Sequence, residues 1–415
     1  MKSQQFLFTM LCALWLTPVC AAEPLGGDLK ELLEYARDHN AELTATRYEA
    51  DAAQQRAASA GVLPDPVLRA ERYDISNQSG NVIPNVMPTQ RYQLSQALPW
   101  FGKRDLQRGI TAAQLEQANG QTAANWSDLA YRLKTVYALN YYLAANEKLT
   151  RQSIDLFDNL EQIVAARYEN GLSNQQDVIR VQVETSALQA ELIAIQNERH
   201  HAHTELNSLL ARPVNAVLSD PVQIRPLPPV AQLDENTLLK KLRAQNPSVR
   251  IAEAQQQYAD KNRDLSYANR YPGLTLGLAR TQYSAMNTWD VMVEFNLPLQ
   301  QSARRSQEHE TEAMLAAASA RKQATLNQVE SSLSENLSAL DSARRTEALI
   351  KNRLLPQSEL TYQSALSGYE NGKLDFATLM SAQRQILQVR QQQLKAQLDA
   401  QSRLADVEKL LGEEL

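Results

Sequence analysis

Trp289, Val291, Val293, Phe295 and Leu297 alternate with Asp290, Met292, Glu294 and Asn296. A period of two, with one face wholly apolar and two acids on the other, predicts a β-strand. Just upstream, Leu274, Leu276 and Leu278 alternate with Thr275, Gly277 and Ala279, so 273–298 reads as a hairpin. An earlier window, 65–99, holds Pro66, Pro84, Pro88 and Pro99, which excludes helix. Inside it Tyr92, Leu94 and Leu98 alternate with Arg91, Gln93 and Ser95, and a first strand near 67–74 alternates more weakly. A soluble sheet would bury such an apolar face under further apolar elements. Here each hairpin stands between very long helices, with no further apolar strand to cover it. Lipid on the apolar side and water on the acidic side satisfy the pattern, as in membrane barrels.

The rest of the chain has helical periods. From Lys103 to Tyr168 there is no proline, and a helix over 102–169 follows. A second runs over 302–370, with Pro356 inside it, where a bend or a local loss of hydrogen bonding is expected. Roughly 66 residues at 1.5 Å rise make a rod of about 100 Å. Gly171 and Gly372 stop these rods, each suited to a left-handed helix end. Three residues on, Asn174 and Asp375 stand where a helix cap belongs, opening return helices over 174–212 and 375–411. In the first of these, Val178, Val181, Thr185, Leu188, Leu192, Ile195, Arg199, Ala202, Leu206 and Leu209 step alternately by three and four, a coiled-coil seam. Residues 28–62 also read as one helix, polar outside and Ala/Leu inside.

These elements come twice. Tyr-Glu-Asn-Gly occurs at 168–171 and again at 369–372. Leu98-Pro99 with Lys103-Arg104 is matched by Leu297-Pro298 with Arg304-Arg305, and Leu32-Leu33 before Asn40 by Leu238-Leu239 before Asn246. The chain therefore divides into one repeat over 23–212, a proline-rich linker over 213–230 and a second repeat over 231–415. The expected fold is mainly α with a small β part.

Composition narrows the function classes. Few aromatics (6%) and a mean hydropathy of -0.44 suit long helices better than compact cores. A net charge of -5 gives no case for nucleic acid. Lys2, the apolar run Phe6 to Leu16 and the small residues up to Ala22 read as a signal peptide over 1–22, with cleavage before Glu23. Val19 stands before Cys20 where a lipoprotein signal wants a small residue, so no lipid is expected. Both cysteines, Cys12 and Cys20, leave with the signal. No later stretch approaches the ~20 apolar residues of a membrane helix, so a membrane crossing must use strands closed into a barrel.

LPWFGKR at 98–104, RYENGLSNQQDV at 167–178 and LLPQSELTYQSALSGYENGKLDFATLMSAQR at 354–384 carry a resemblance that extends over the mature chain. With two hairpins and two ~100 Å rods behind a signal peptide, the chain resembles the TolC family of outer-membrane efflux channels. LPWFGKR is most similar to its CzcC/CusC-like heavy-metal branch. The resemblance implies a homotrimer in which each protomer gives four transmembrane strands to a twelve-stranded barrel in outer-membrane lipid and two rods to a long coiled-coil helical barrel in the periplasm. It implies a periplasmic membrane-fusion adaptor and a proton-driven inner-membrane RND pump as partners. Gly171, Leu172, Ser173, Asp177, Gly372 and Asp375 would then form the adaptor-docking and gating tips, with Asp177 repeated three times on one ring. Trp289, Val291, Val293, Phe295 and Leu297 would face lipid. The acid six residues after the glycine is Asp177 in the first repeat but Thr378 in the second, so the two tips are expected to contribute unequally.

Little else suggests chemistry. His200 and His203, at i and i+3 on a helix, are near enough to share a metal ion. The seam turns His200 and His201 outward and offers no clear further ligand, so solvated histidines are the simpler reading. There is no phosphate loop, no cysteine in the mature chain and no serine elbow, hence no enzyme and no cofactor. Export cargo stays open between metal cations and organic compounds or drugs. An exported coiled-coil scaffold is the alternative of a different class, but it has no use for the alternating strands at 273–298.

Overall fold

A computed structural model describes residues 25–73, 89–282 and 286–415. The expected signal peptide, Cys20 and the tip of the first hairpin lie outside the described residues. The element order is α1 (Leu29–His39), α2 (Ala41–Ser59), β1 (Val67–Tyr73), β2 (Thr89–Leu98), α3 (Lys103–Glu169) and α4 (Gln175–Leu209). The same order then returns as α5 (Glu235–Gln245), α6 (Pro247–Ala268), β3 (Leu274–Gln282), β4 (Asn287–Phe295), a long rod and α9 (Phe376–Leu411). The rod is α7 (Gln301–Leu349), a π-helical turn at Ile350–Leu354 and α8 (Leu355–Glu370). The fold is thus long antiparallel helices with one small sheet, as the sequence led us to expect.

Three local departures have physical causes. The helix read over 28–62 is two helices, broken at Asn40, which is extended (ψ 123°) and caps α2 by accepting from the Leu43 amide at 3.0 Å. The return helix stops at Leu209, short of 212, because Ala211 takes a left-handed conformation (φ 54°) and Pro213 follows. Asn174 makes no side-chain cap bond, whereas Asp375 accepts from the Thr378 amide at 2.9 Å. The π turn lies immediately before Pro356: the Leu355 amide reaches Ile350 O, because a proline in the next turn disrupts the regular ladder.

The two halves share their locking contacts. Asn40 Nδ2 donates to Leu209 O at 3.0 Å, tying the α1–α2 corner to the end of α4. Asn246 Nδ2 donates to Leu410 O at 2.7 Å, tying the α5–α6 corner to the end of α9. Arg104 and Arg304 each donate to a carbonyl at the end of the preceding helix region, Gly61 O and Asn269 O. The seam is buried largely as read: Val181, Thr185, Leu188, Ile195, Ala202, Leu206 and Leu209 are all inside. One core packs α1 against α3 and α4 through Leu32, Leu133, Tyr137 and Leu206. Its counterpart packs α5 and α6 against α7 and α9 through Leu238, Leu242, Leu333 and Val407.

Buried charge joins the halves. Glu408 is 3% exposed and accepts from Lys134 at 2.9 Å and from Arg225 at 2.9 and 3.1 Å, linking α9 to α3 and to the linker. Losing one partner of such a pair leaves an uncompensated buried charge. Glu147 on α3 accepts from Arg199 on α4, from Arg151 and from Gln196, and Arg199 also reaches Asp220. Burial opposes the Glu147 charge, but these donors hold its carboxyl down to about 2 from the ordinary 4.5.

Two outcomes follow. Asn246→Ala removes a cap and orphans the Leu410 carbonyl, and should cost about 2–4 kcal/mol; a lowered melting temperature and faster proteolysis of α9 check it. Because Glu147 is depressed in the fold, its contribution is complete above about pH 4.5 and is lost as pH falls through about 2. Thermal melts across that window should decline in the wild type, and Glu147→Gln should be less stable at neutral pH with a shallower decline.

Candidate functional site

The sheet has order β1-β2-β3-β4, all antiparallel, and its register decides which side chains share a face. Leu68 pairs with Leu94, Leu94 with Leu278 and Leu278 with Val291, while Leu98, Leu274 and Phe295 form another row. Directly opposite residues lie on one face. That face therefore carries Leu68, Tyr92, Leu94, Leu276, Leu278, Trp289, Val291, Val293 and Phe295, all more than 40% exposed. Val291 is 79% and Trp289 66% exposed, and Leu297 just beyond β4 is 65% exposed. So much contiguous exposed apolar surface marks a face meant for something other than water.

The opposite face is polar and partly enclosed. Gln93, Ala279 and Asp290 form one row, and Arg91, Thr281 and Thr288 another. Gln93 and Thr281 are buried, Thr281 donates to Asp290 at 3.3 Å, and Gln93 Nε2 lies 3.3 Å from Met292 Sδ. Gly277 leaves room for Met292, whose Cε would lie 2.9 Å from an added Cβ. β1 and β4 end the sheet, with no strand beyond either among the described residues.

The glycine turns lie at the other end of the rods. Gly171 has φ +71° and Gly372 φ +67°, and nothing lies within 4 Å of a Cβ added to either. Any penalty there comes from the backbone alone, since an L side chain disfavours this region. The hydrogen bonds repeat: Leu172 N to Arg167 O and Lys373 N to Gly368 O, both 2.8 Å, with Asn170 and Asn371 side chains each donating back to a carbonyl at 2.7 Å. The turns share one core, with Phe157, Leu160, Val164 and Val181 against Tyr369, Phe376, Leu379 and Met380. Arg167 lies 4.8 Å above the Tyr369 ring. Leu172 is 68% exposed and Ser173 and Asp177 are partly exposed, while Leu374 folds back onto Gly368. The tips differ in their side chains: one exposes Leu172, and the other lays Leu374 over Gly368 and caps with Asp375.

The histidines do not converge. His203 Nε2 lies 3.1 Å from Asn140 Oδ1, and burial, with Arg199 beside it, lowers its pKa. His200 is exposed. Among the described residues no three His, Cys, Asp or Glu side chains cluster as metal ligands, and no helix is long and apolar enough to cross a membrane. Sequence reading missed the buried Lys134–Glu408–Arg225 group, whose members are far apart in the chain and carry no local pattern.

A family model described as outer membrane efflux protein matches residues 238–413, the second half and its rod. The second half of the chain thus matches that family. That match and the fold point to an outer-membrane efflux channel of TolC type, with a long helical extension below its strands. Cobalt-zinc-cadmium resistance protein CzcC of Cupriavidus metallidurans is 24% identical over 400 residues, 94% of this chain and 91% of its own length. Pyoverdine export outer membrane protein OpmQ of Pseudomonas putida is 23% identical over 416 residues, 93% of this chain and 86% of its own. The solved structure of CusC, described in terms of transmembrane channel formation, superposes with a TM-score of 0.79 at 16% identity, covering 97% of this chain and 96% of that one.

Val293, 51% exposed in the middle of the apolar face, is the sharpest probe of that face. Val293→Arg should cost about 2–4 kcal/mol of membrane assembly at the bilayer midplane, read as loss of heat-resistant assembled protein. Normal assembly of this variant, with Glu294→Arg failing instead, would invert the two faces.

Proposed function

We propose that the chain is the outer-membrane duct of a tripartite RND-type pump that exports heavy-metal cations. The observation that carries the cargo is the likeness to the cobalt-zinc-cadmium resistance protein over 94% of this chain. Three copies close their strands into a twelve-stranded barrel, with Trp289, Val291, Val293, Phe295 and Leu297 against lipid. Six rods continue as the tunnel. The duct is passive: its energy comes from an inner-membrane pump, reached through a periplasmic adaptor.

The adaptor meets the tips. Gly171, Leu172 and Ser173 are the main contact, because Leu172 is 68% exposed, whereas Leu374 of the second tip is 40% exposed and packs over Gly368. Gly372 and Asp375 hold the second tip in shape, and Asp177, three per ring, forms a narrow place that tolerates cations. His200 and His203 take no part, since a conduit gains nothing from holding its cargo.

The likeness to the pyoverdine export protein favours a second reading, a duct for organic compounds. Sensitivity of a deletion strain separates the two. Metal export predicts hypersensitivity to cobalt, zinc or cadmium, restored by the wild-type gene and by the His200, His201, His203 triple-alanine variant. Gly171→Val should fail to restore it at normal levels of assembled protein. Unchanged metal tolerance, with sensitivity to organic compounds instead, overturns the metal reading.

A further inference from the structure

Between the strands and the rods, residues 63–108 and the strand residues Leu274 and Phe295 build a cleft of about 410 Å³. Leu98, Leu274 and Phe295 floor it as one cross-strand row on the exposed apolar face. Trp100 and Phe101 wall it, and Trp100 stacks on Tyr271 with ring centroids 5.3 Å apart and planes at 6°. Phe101 is 87% exposed. Where these aromatics stand, the second half has Leu299 and Gln300. The row belongs to β2, β3 and β4 of one chain, so the cleft lies within the protomer's own sheet and not across the open edge of β1.

The rim of the cleft is basic. Arg104, Asp105 and Arg108 line it, and Lys103 precedes them at the start of α3. Arg104 uses Nε on Gly61 O at 2.6 Å, and among the described residues no carboxylate pairs with it. Arg108 passes over Gly61 and meets Asp105 at 2.9 Å, an exposed pair that contributes little. Lys103 Nζ donates to Tyr271 O at 3.2 Å, and partial burial with Arg304 nearby lowers its pKa. The collar thus holds more cations than its own acids neutralise, directly beneath an apolar band and an aromatic belt. An aromatic belt marks the depth of lipid headgroups, and guanidinium forks match phosphate oxygens.

We propose that this cleft seats one glycerophospholipid of the periplasm-facing leaflet per protomer. Its phosphate lies between Arg104 and Arg108, and an acyl chain runs along Leu98, Leu274 and Phe295. Trp100 and Phe101 bracket the glycerol region. The lipid fixes the height of the junction at which strands become rods. The assignment rests on the outer-membrane placement and is independent of cargo.

Native mass spectrometry of the full assembled protein in non-ionic detergent tests it, with phosphatidylglycerol, the matching diacylglycerol and inorganic phosphate as probes. One phosphatidylglycerol per protomer should be retained. Diacylglycerol, lacking the phosphate, should be held about tenfold less, the loss of one charge-assisted contact. Inorganic phosphate at millimolar excess should not displace the lipid. Arg104→Gln with Arg108→Gln should abolish the preference. Arg108→Gln alone, which leaves the Arg104–Gly61 contact intact, should reduce it, and Arg72→Gln at the opposite end of the sheet should not. Equal retention of diacylglycerol, displacement by phosphate, or unchanged binding in Arg108→Gln would each overturn the proposal.

Discussion

Four strands cannot close. An open sheet leaves the outer edges of β1 and β4 with unpaired amides and carbonyls, and in a hydrocarbon layer each such group is costly. A chain with this sheet is obliged to find strands from further copies, and the smallest barrels already need about eight. Much of the molecule can be understood from that obligation. The apolar band over Leu94, Leu278 and Val291 is useful only once the ring is closed. The polar row Gln93, Ala279, Asp290 becomes an interior only then.

Below the sheet the problem is reversed. Long rods in water need a continuous apolar seam, and the seam along α4 supplies it by burying Val181, Leu188, Ile195 and Leu206 against α3. Rods of this length also need their ends held in register. Asn40 and Asn246 hold the ends of the return helices α4 and α9, each using one side chain for a cap and for a distant carbonyl. At the far end the shared core around Phe157 and Met380 holds the two tips together. At the level of the Asn246 corner, Glu408 with Lys134 and Arg225 ties one half to the other.

The sequence showed the periodic parts of this design and not its contacts. Alternation at 289–297 revealed strand β4, its exposed face and its partner β3, because period two needs no knowledge of the rest of the fold. Prolines and glycines marked where rods begin and turn. The break at Asn40 was missed: a helix runs on as well as it ends at an asparagine, and only the carbonyl of Leu209, far along the chain, decides. The missed ion group has the same cause. Asn174 and Asp375 both stand three residues after a tip glycine, where a cap belongs, yet only Asp375 bonds the amide three residues on. The two tips match in backbone and differ in side chains.

The π turn at Ile350–Leu354 makes the two rods mechanically unlike. The first-half rod has an unbroken ladder of hydrogen bonds from Lys103 to Glu169 and acts as a stiff strut. The second has a wider turn and a missing donor about two-thirds of the way to its tip, so it yields there first. Around the proposed trimeric tube, stiff and compliant struts would alternate. A load applied at the tips is then taken up by every second rod. In that trimer the far end would change shape with three-fold symmetry, although its outline has six near-equivalent corners.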